Sequence, residues 1–161
     1  MNRTLQIGIL FFIFISCNKK DINDPTSENI NSTFIAAVDI SNYPEISNSN
    51  PRFYDLEGNP NDFLTILKNN GINTIRLKLW VQPNDEHSGF NEVKQFSSIV
   101  KANGFKTWIT LHYSDTWADP GQQNPPAQWK GLNMSQLKDR VYTYTEKVVT
   151  ELQPDYIQIG N

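Results

Sequence analysis

The chain has 161 residues, 38% of them hydrophobic and 12% aromatic, which is typical of a globular domain and not of a disordered, fibrous or membrane-spanning chain. Its formal net charge is −3, and its Lys and Arg residues are scattered. Because a phosphate backbone is bound by a concentrated basic patch, we expect no nucleic acid partner. One domain is expected.

The first 17 residues have the pattern of an export signal. Arg3 precedes the apolar run Leu5–Ile15, which is too short to span a bilayer. The run ends at Ser16 and Cys17, and Cys17 is the only cysteine, so it has no partner for an internal disulfide. This order resembles a bacterial lipoprotein signal, in which the cysteine is acylated; a lone buried thiol is the alternative. We therefore predict a signal peptide over 1–17, lipidation at Cys17, and export to a bacterial membrane or cell surface, or else secretion.

Residues 18–33 are rich in Asn, Asp, Ser and Lys and predict a solvated tether, so the folded part is placed at 34–161. Within it, apolar β-branched runs and alternating apolar residues predict four strands. These are Phe34–Ile40, Asn73–Val81, Phe105–Leu111 and Asp155–Ile159.

Helical spacing fills the gaps between these strands. One helix is predicted after Asn61 or Asp62 and stops at Gly71, and a second follows Asn91 and stops at Gly104. A longer third helix starts near Asn133 or Ser135 and ends before Pro154. Alternating strands and helices imply a parallel sheet, either doubly wound or closed as a (β/α) barrel. No G-x-G-x-x-G follows the first strand, which disfavours a doubly wound dinucleotide fold.

Ligands bind at the carboxyl ends of the strands in both architectures, and polar and aromatic residues concentrate there. The candidates are Asp39, Arg76, Trp80, His112, Asp115, Trp117, Asp119 and Asn161. Each candidate also has a purely structural explanation. Arg76 could form a structural ion pair, and His112 could be a hydrogen-bonded imidazole of the core. The tryptophans Trp80, Trp117 and Trp129 could serve only in packing. We favour sugar stacking for Trp80 and Trp117. The two histidines, His87 and His112, have no zinc-ligand spacing, so no metal site is predicted.

Five segments carry a family resemblance. In order, Ala37–Ser41, Phe53–Gly58, Gly71–Val81, Leu111–Gly121 and Tyr156–Asn161 closely resemble the arabinogalactan endo-β-1,4-galactanases of glycoside hydrolase family 53. The run His-Tyr-Ser-Asp-x-Trp-Ala-Asp-Pro at 112–120 is long and particular to that family. Related β-1,4-glucanases and mannanases share the barrel but not this run.

The resemblance implies a (β/α)8 barrel, of which 34–161 would form about the first half, with four strands and three helices. It implies a retaining hydrolase with two glutamates, neither of them in the chain: the acid/base is expected directly after Asn161 and the nucleophile on a later strand. The chain by itself is then expected to be inactive, and its open strand edges to favour self-association.

The resemblance also implies roles for the candidates. Arg76 would hold the nucleophile ionised, His112 would lie beside it, and Asn161 would contact the sugar 2-hydroxyl. Asp39, Asp115 and Asp119 match residues of the binding cleft and its support. A polysaccharide is the expected partner; no cofactor and no protein partner are indicated, and calcium in later loops is left open. The alternative is a non-catalytic surface lipoprotein that binds glycans.

Overall fold

The computed structural model describes residues 34–161, so the predicted signal peptide at 1–17, the lipidation of Cys17 and the tether at 18–33 lie outside the described residues. In chain order the elements are β1 (Ala37–Asp39), α1 (Tyr43–Ser47), β2 (Phe53–Tyr54), β3 (Pro60–Asn61), α2 (Phe63–Asn69), β4 (Thr74–Leu79), α3 (Phe90–Ala102), β5 (Lys106–Leu111), a 3-10 turn (Ala127–Trp129), α4 (Met134–Leu152) and β6 (Tyr156–Ile159). No helix within this part of the chain is both long and apolar enough to cross a membrane.

The four predicted strands form one parallel sheet in the order β1-β4-β5-β6. Each is one to four residues shorter than its predicted range at one or both ends. Neighbouring strands are joined by segments that contain α2, α3 and α4, as the alternating periodicity predicts. The small antiparallel pair β2 and β3 and the short helix α1 were not predicted; both lie in the connection between β1 and α2.

Apolar side chains of the strands and helices form one buried cluster. Ile75, Leu77 and Leu79 of β4 are at most 1% exposed, which matches their alternate spacing. The cluster also contains Leu64, Val93, Phe96, Val100, Ile109, Leu111, Val148 and Leu152. Because these residues cover one face of the sheet with helices, the opposite face is left for the polar side chains.

Two of the three predicted helix starts are confirmed. The side chain of Asp62 accepts a hydrogen bond from the Thr65 amide at 2.9 Å, and Asn133 forms a reciprocal capping box with Gln136. The prediction at Asn91 is wrong, because α3 begins one residue earlier, at Phe90.

The N-cap residue of α3 is Gly89, which has no side chain to cap the first turn. Glu92, in that first turn, accepts from the amide of Ser88 at 3.0 Å and so ties the segment before the helix to its start. The stops after α2 and α3 occur as predicted, at Gly71 and Gly104, whose φ angles of +85° and +77° lie in the left-handed region that glycine adopts without strain.

Candidate functional site

The strand register places a set of polar side chains on the face of the sheet that the helices do not cover. Arg76 of β4 lies level with Asp39 of β1 and Trp108 of β5, and Trp108 lies level with Tyr156 of β6. Two residues further along, Lys78 lies level with Thr110, and Thr110 with Gln158. Because successive side chains alternate between faces, these two rows share one face.

Arg76, within β4, and Asp39, at the end of the neighbouring β1, form an ion pair. The distance from Arg76 Nη1 to Asp39 Oδ2 is 2.5 Å, with 25% and 38% of the two side chains exposed. The other Asp39 oxygen accepts from the Ser41 amide and hydroxyl at 2.9 and 2.6 Å. Arg76 Nη2 lies 3.5 Å from the amide oxygen of Gln158. Arg76 therefore has the carboxylate that its partly buried charge requires.

His112 lies at the end of β5 and is 3% exposed. Its Nδ1 accepts hydrogen bonds from Trp80 Nε1 at 3.2 Å and from the Ala118 amide at 3.3 Å. Since both groups are donors, Nδ1 carries no proton and the neutral ring holds its proton on Nε2. Burial lowers the pKa of His112, the nearby cations Arg76 and Lys78 lower it further, and Asp39 partly offsets them. His112 is thus a neutral imidazole that orients Trp80 and the start of the following loop.

Two of the three candidate tryptophans lie around His112, and the third is in the core. Trp117 is half exposed, with its ring edge-on to His112 at a centroid distance of 5.3 Å. Trp80 is held by its bond to His112. Trp129 is 5% exposed and packs against Tyr113 and Tyr144, so the packing explanation holds for it.

Asp115 and Asp119 lie in the loop that follows β5. The two oxygens of Asp115 accept from the amides of Gln82 and Ala127, at 2.9 and 2.7 Å. Asp119 accepts from the Gly121 amide at 2.7 Å and closes a short turn. The structure therefore uses both carboxylates to shape loops, and their contact with substrate stays a prediction.

Asn161 follows β6 and lies against the same loop. Its side-chain amide donates to the carbonyl of Ala118, and its own backbone carbonyl accepts from Gln123 Nε2 at 3.1 Å. Ala118 also bonds to His112 through its amide. The structure thus brings together Asp39, Arg76, Trp80, His112, Trp117 and Asn161, while Asp115 and Asp119 lie further out in the loop.

Lys78 and Gln158 belong to this site: the sequence places Lys78 beside Arg76 on the second predicted strand but assigns it no role, and it does not single out Gln158. Lys78 is 7% exposed, and its Nζ lies 2.7 Å from Asn42 Oδ1. Gln158 contacts Arg76 and Thr110. Their positions could have been inferred from the alternation of side chains along a strand. Lys78 is two residues after Arg76 and so lies on the same face of β4, and Gln158 is two residues after Tyr156 and lies on the same face of β6.

The carboxylates of Asp39, at a strand end, and Asp115, in the loop after β5, are already engaged in hydrogen bonds. Both oxygens of Asp39 and both of Asp115 have protein partners. In the described range, no group of three or more His, Cys, Asp or Glu side chains is arranged to hold a metal ion. Chemically, residues 34–161 offer cations, amides and aromatic rings, which suit the recognition of a neutral polar ligand.

Comparisons with known proteins identify what this arrangement is similar to. Residues 35–161 match the family described as glycosyl hydrolase family 53. The chain is 34% identical, over 141 residues, to an endo-β-1,4-galactanase of Bacillus subtilis (strain 168); the match covers 83% of this chain and 33% of that protein. It is 35% identical, over 114 residues, to a probable arabinogalactan endo-β-1,4-galactanase A of Aspergillus terreus; the match covers 68% of this chain and 33% of that protein.

The fold is similar to that of solved structures. The GH53 catalytic domain of Ignisphaera aggregans matches with a TM-score of 0.74 at 38% identity, covering 80% of this chain and 39% of that one. A structure from a study of two fungal β-1,4-galactanases also matches with a TM-score of 0.74, at 32% identity, and the match covers 79% of this chain and 40% of that one. These neighbours confirm the (β/α)8 barrel, to which the described residues contribute four parallel strands. The chain spans about a third of the length of the curated relatives it matches.

Proposed function

Because the chain belongs to glycosyl hydrolase family 53, we propose that it is part of an enzyme that hydrolyses internal β-1,4-galactosidic bonds of arabinogalactan and pectic galactan. The observation that carries this proposal is the cluster at the strand ends, where Arg76, Trp80, His112 and Asn161 lie together in a chain of this family. These side chains hold and orient a sugar; they do not cleave it.

The proposed mechanism is retaining and uses two glutamates outside the chain. One, directly after Asn161, protonates the leaving oxygen, and the other, on a later strand, attacks the anomeric carbon at a carboxyl separation of about 5–5.5 Å. Arg76 favours the ionised nucleophile through its positive charge. Asn161 bonds the sugar 2-hydroxyl, and Trp80 and Trp117 stack against sugar rings. Asp39, Asp115 and Asp119 shape the cleft.

The 161-residue chain alone is proposed to be inactive. Asp39, at the end of β1, and Asp115, in the loop after β5, accept bonds on both oxygens, from Arg76, Ser41, Gln82 or Ala127. Carboxylates held in this way are positioned as supports and not for proton transfer to a leaving group.

The experiment is to read the coding sequence beyond Asn161 and assay both the complete product and the 161-residue chain. The substrate is β-1,4-galactan, and β-1,4-glucan is the control. We expect a glutamate at position 162, galactose oligomers released by the complete product, and none released by the chain alone. A complete product that cleaves glucan and leaves galactan intact would refute the proposal.

The second candidate is a non-catalytic surface protein that binds glycans. The observation that favours it is that aromatic rings and donors are present in residues 34–161, whereas the carboxylates of Asp39 and Asp115 are engaged. The complete sequence separates the candidates, because only the enzyme requires a glutamate at position 162. A product that binds galactan and releases no oligomers would favour this second function.

We also propose export with lipidation at Cys17, on the sequence pattern alone. Expression in a bacterial host with a labelled fatty acid tests it, with Cys17→Ser as the matched control. Label in the wild-type chain and not in the variant is the expected result, and equal label in both would contradict it.

A further inference from the structure

Lys78 is a buried cation whose donors are mostly unused. An ammonium group has three donors, and in residues 34–161 the Nζ of Lys78 has one hydrogen-bond partner, Asn42 Oδ1 at 2.7 Å. No carboxylate in that part of the chain lies within ion-pair distance of it. Burial of an ammonium is costly unless its donors are satisfied, so the position calls for further acceptors.

Two aromatic rings accompany this cation. Lys78 Nζ lies 4.9 Å from the ring centroid of Trp80 and 5.6 Å from that of Trp117. Both distances are within the range of cation–π attraction, which compensates part of the lost hydration. The rings do not replace hydrogen-bond acceptors, and burial still lowers the pKa of Lys78, partly offset by Asp39, Glu45 and Glu92.

Lys78 lines a cavity at the ends of β1 and β4. The cavity has a volume of about 340 Å³ and is bounded by Asp39, Asn42, Tyr43 and Trp117, with Ile46, Phe53 and Phe63 completing the apolar wall. This volume is at the lower end of the range of about 300–1,000 Å³ for small-molecule sites. It suits one sugar residue. Trp117, half exposed, presents an aromatic surface at this cavity.

The charges at the cavity select the class of ligand. Lys78 supplies donors, while Asp39 Oδ2, which accepts one bond, from Arg76, has a second lone pair that can accept from a ligand. A sugar hydroxyl both donates and accepts, so it fits such a mixed set. A uronate carboxylate would accept from Lys78 but would be repelled by Asp39. The cavity therefore favours an uncharged sugar over an acidic one.

We propose that Lys78 is a substrate-binding residue, which donates hydrogen bonds to hydroxyls of one neutral glycosyl unit in the cavity between α1 and Trp117. This inference rests on the proposed function, since it identifies a further sugar contact of the same cleft. The bound hydroxyls supply the acceptors that the ammonium lacks. Trp117 stacks on the apolar face of the same sugar ring.

The test compares Lys78→Met with the wild-type 161-residue chain. Methionine keeps the length of the side chain and its apolar stem but removes the cation. Lys106→Met is the matched control, because Lys106 is another strand lysine with its Nζ near an aromatic ring, 5.7 Å from Tyr156, at the opposite end of β5. The probe is β-1,4-galactotetraose, with binding followed by calorimetry and tryptophan fluorescence.

We expect the dissociation constant to rise about tenfold or more in Lys78→Met, the loss typical of a hydrogen bond to a charged group, and to stay unchanged in Lys106→Met. Equal affinity of Lys78→Met and the wild type would overturn this inference and leave the proposed function standing. No binding of galactotetraose by the wild type, with binding of a glucan oligomer, would overturn the proposed function instead. Tighter binding of a galacturonate oligomer would refute the preference for a neutral sugar.

A second measurement needs no variant and so does not depend on the folding of Lys78→Met. The wild-type chain is reductively methylated with and without galactotetraose, and the modified lysines are mapped by mass spectrometry. We expect the sugar to slow methylation of Lys78 and not of Lys106. Equal rates at Lys78 with and without bound sugar would overturn the inference.

Discussion

Replacement of Asp115 tests whether this carboxylate holds loops or contacts sugar. Its two oxygens accept from the amides of Gln82 and Ala127, at 2.9 and 2.7 Å, and so connect the segment after β4 to the loop after β5. Asp115→Ala removes both bonds at once. If Asp115 has a structural role, the substitution lowers the free energy of unfolding. If Asp115 only contacts sugar, the substitution lowers the affinity for sugar and leaves the free energy of unfolding unchanged.

The size of the loss follows from the type of bond. Hydrogen bonds to a charged group contribute about 1.5–3 kcal/mol each. Both amides lie near solvent, where water replaces part of the lost bond, so the lower end applies and Asp115→Ala is expected to cost about 3 kcal/mol in total. Asp115→Asn keeps one neutral acceptor worth about 1 kcal/mol and is expected to cost about 2 kcal/mol.

The assay is urea unfolding followed by circular dichroism. With a slope of about 2 kcal/mol per molar urea, Asp115→Ala is expected to lower the midpoint by about 1.5 M. Asp85→Ala is the control from a neighbouring loop, because Asp85 accepts one bond, from the His87 amide at 3.2 Å, so its loss is expected to cost about 1.5 kcal/mol, half of the loss in Asp115→Ala. An Asp115→Ala midpoint equal to that of the wild type would refute the structural role and leave sugar contact as the explanation.

Three further predictions concern the pH response, a helix cap and the ion pair. Because the fold lowers the pKa of His112 below its ordinary 6.5, the unfolded chain binds more protons than the folded chain as the pH falls below about 6.5, and stability decreases there. His112→Asn, which keeps an acceptor near Nδ1, is expected to flatten the profile of urea midpoint between pH 5 and 7.5; identical slopes would argue against a depressed pKa. Asn133→Ala removes the capping box of α4 and is expected to lower the free energy of unfolding, measured by thermal unfolding, by about 1 kcal/mol. Asn133→Ser keeps a capping oxygen and is expected to stay near the wild type. Equal losses of stability in the two variants would show that the cap contributes nothing. Arg76→Gln is expected to cost under about 1 kcal/mol of stability, since its pair with Asp39 is partly exposed. It is expected to raise the pKa of the nucleophile and so to reduce hydrolysis by the complete protein at low pH, by about tenfold for each unit by which that pKa exceeds the assay pH. A large loss of stability with unchanged hydrolysis would identify the pair as purely structural.

The sequence predicted the parts of the fold that depend on periodicity. The alternate Ile75, Leu77 and Leu79 and the helical spacing of α4 set which face of each element is buried, and the structure agrees. The hairpin of β2 and β3 was missed because each strand has only two residues, too few for a period to be visible. The start of α3 was misplaced because its N-cap residue is Gly89, whereas the side chain of Asn91, two residues later, is the more visible cap signal in the sequence.

The site was predicted only in part, because strand ends are visible in a sequence and loop contacts are not. Asp39 ends β1, Arg76 lies beside it within β4 and His112 follows β5, and their proximity follows from the parallel sheet. The engagement of Asp115 with Gln82 and Ala127 depends on two separate loops that meet in space. Likewise, the burial of Lys78 depends on Asn42, 36 residues earlier, which fixes the ammonium beside the tryptophans.

These contacts together determine the charge at the strand ends. Arg76 and Lys78 are two cations on one face of β4, whereas Asp39 is the carboxylate paired with Arg76 and Asp115 is engaged in the loops. His112 adds no charge, since burial and these same cations keep it neutral. Arg76 and Lys78 therefore place two positive charges on one face of β4, beside the sugar cavity. Positive charges of this kind stabilise an ionised carboxylate brought close to them, which is the state that a nucleophile of a retaining hydrolase needs. Replacing Lys78 would thus weaken sugar binding directly and would also reduce the positive charge available to that carboxylate.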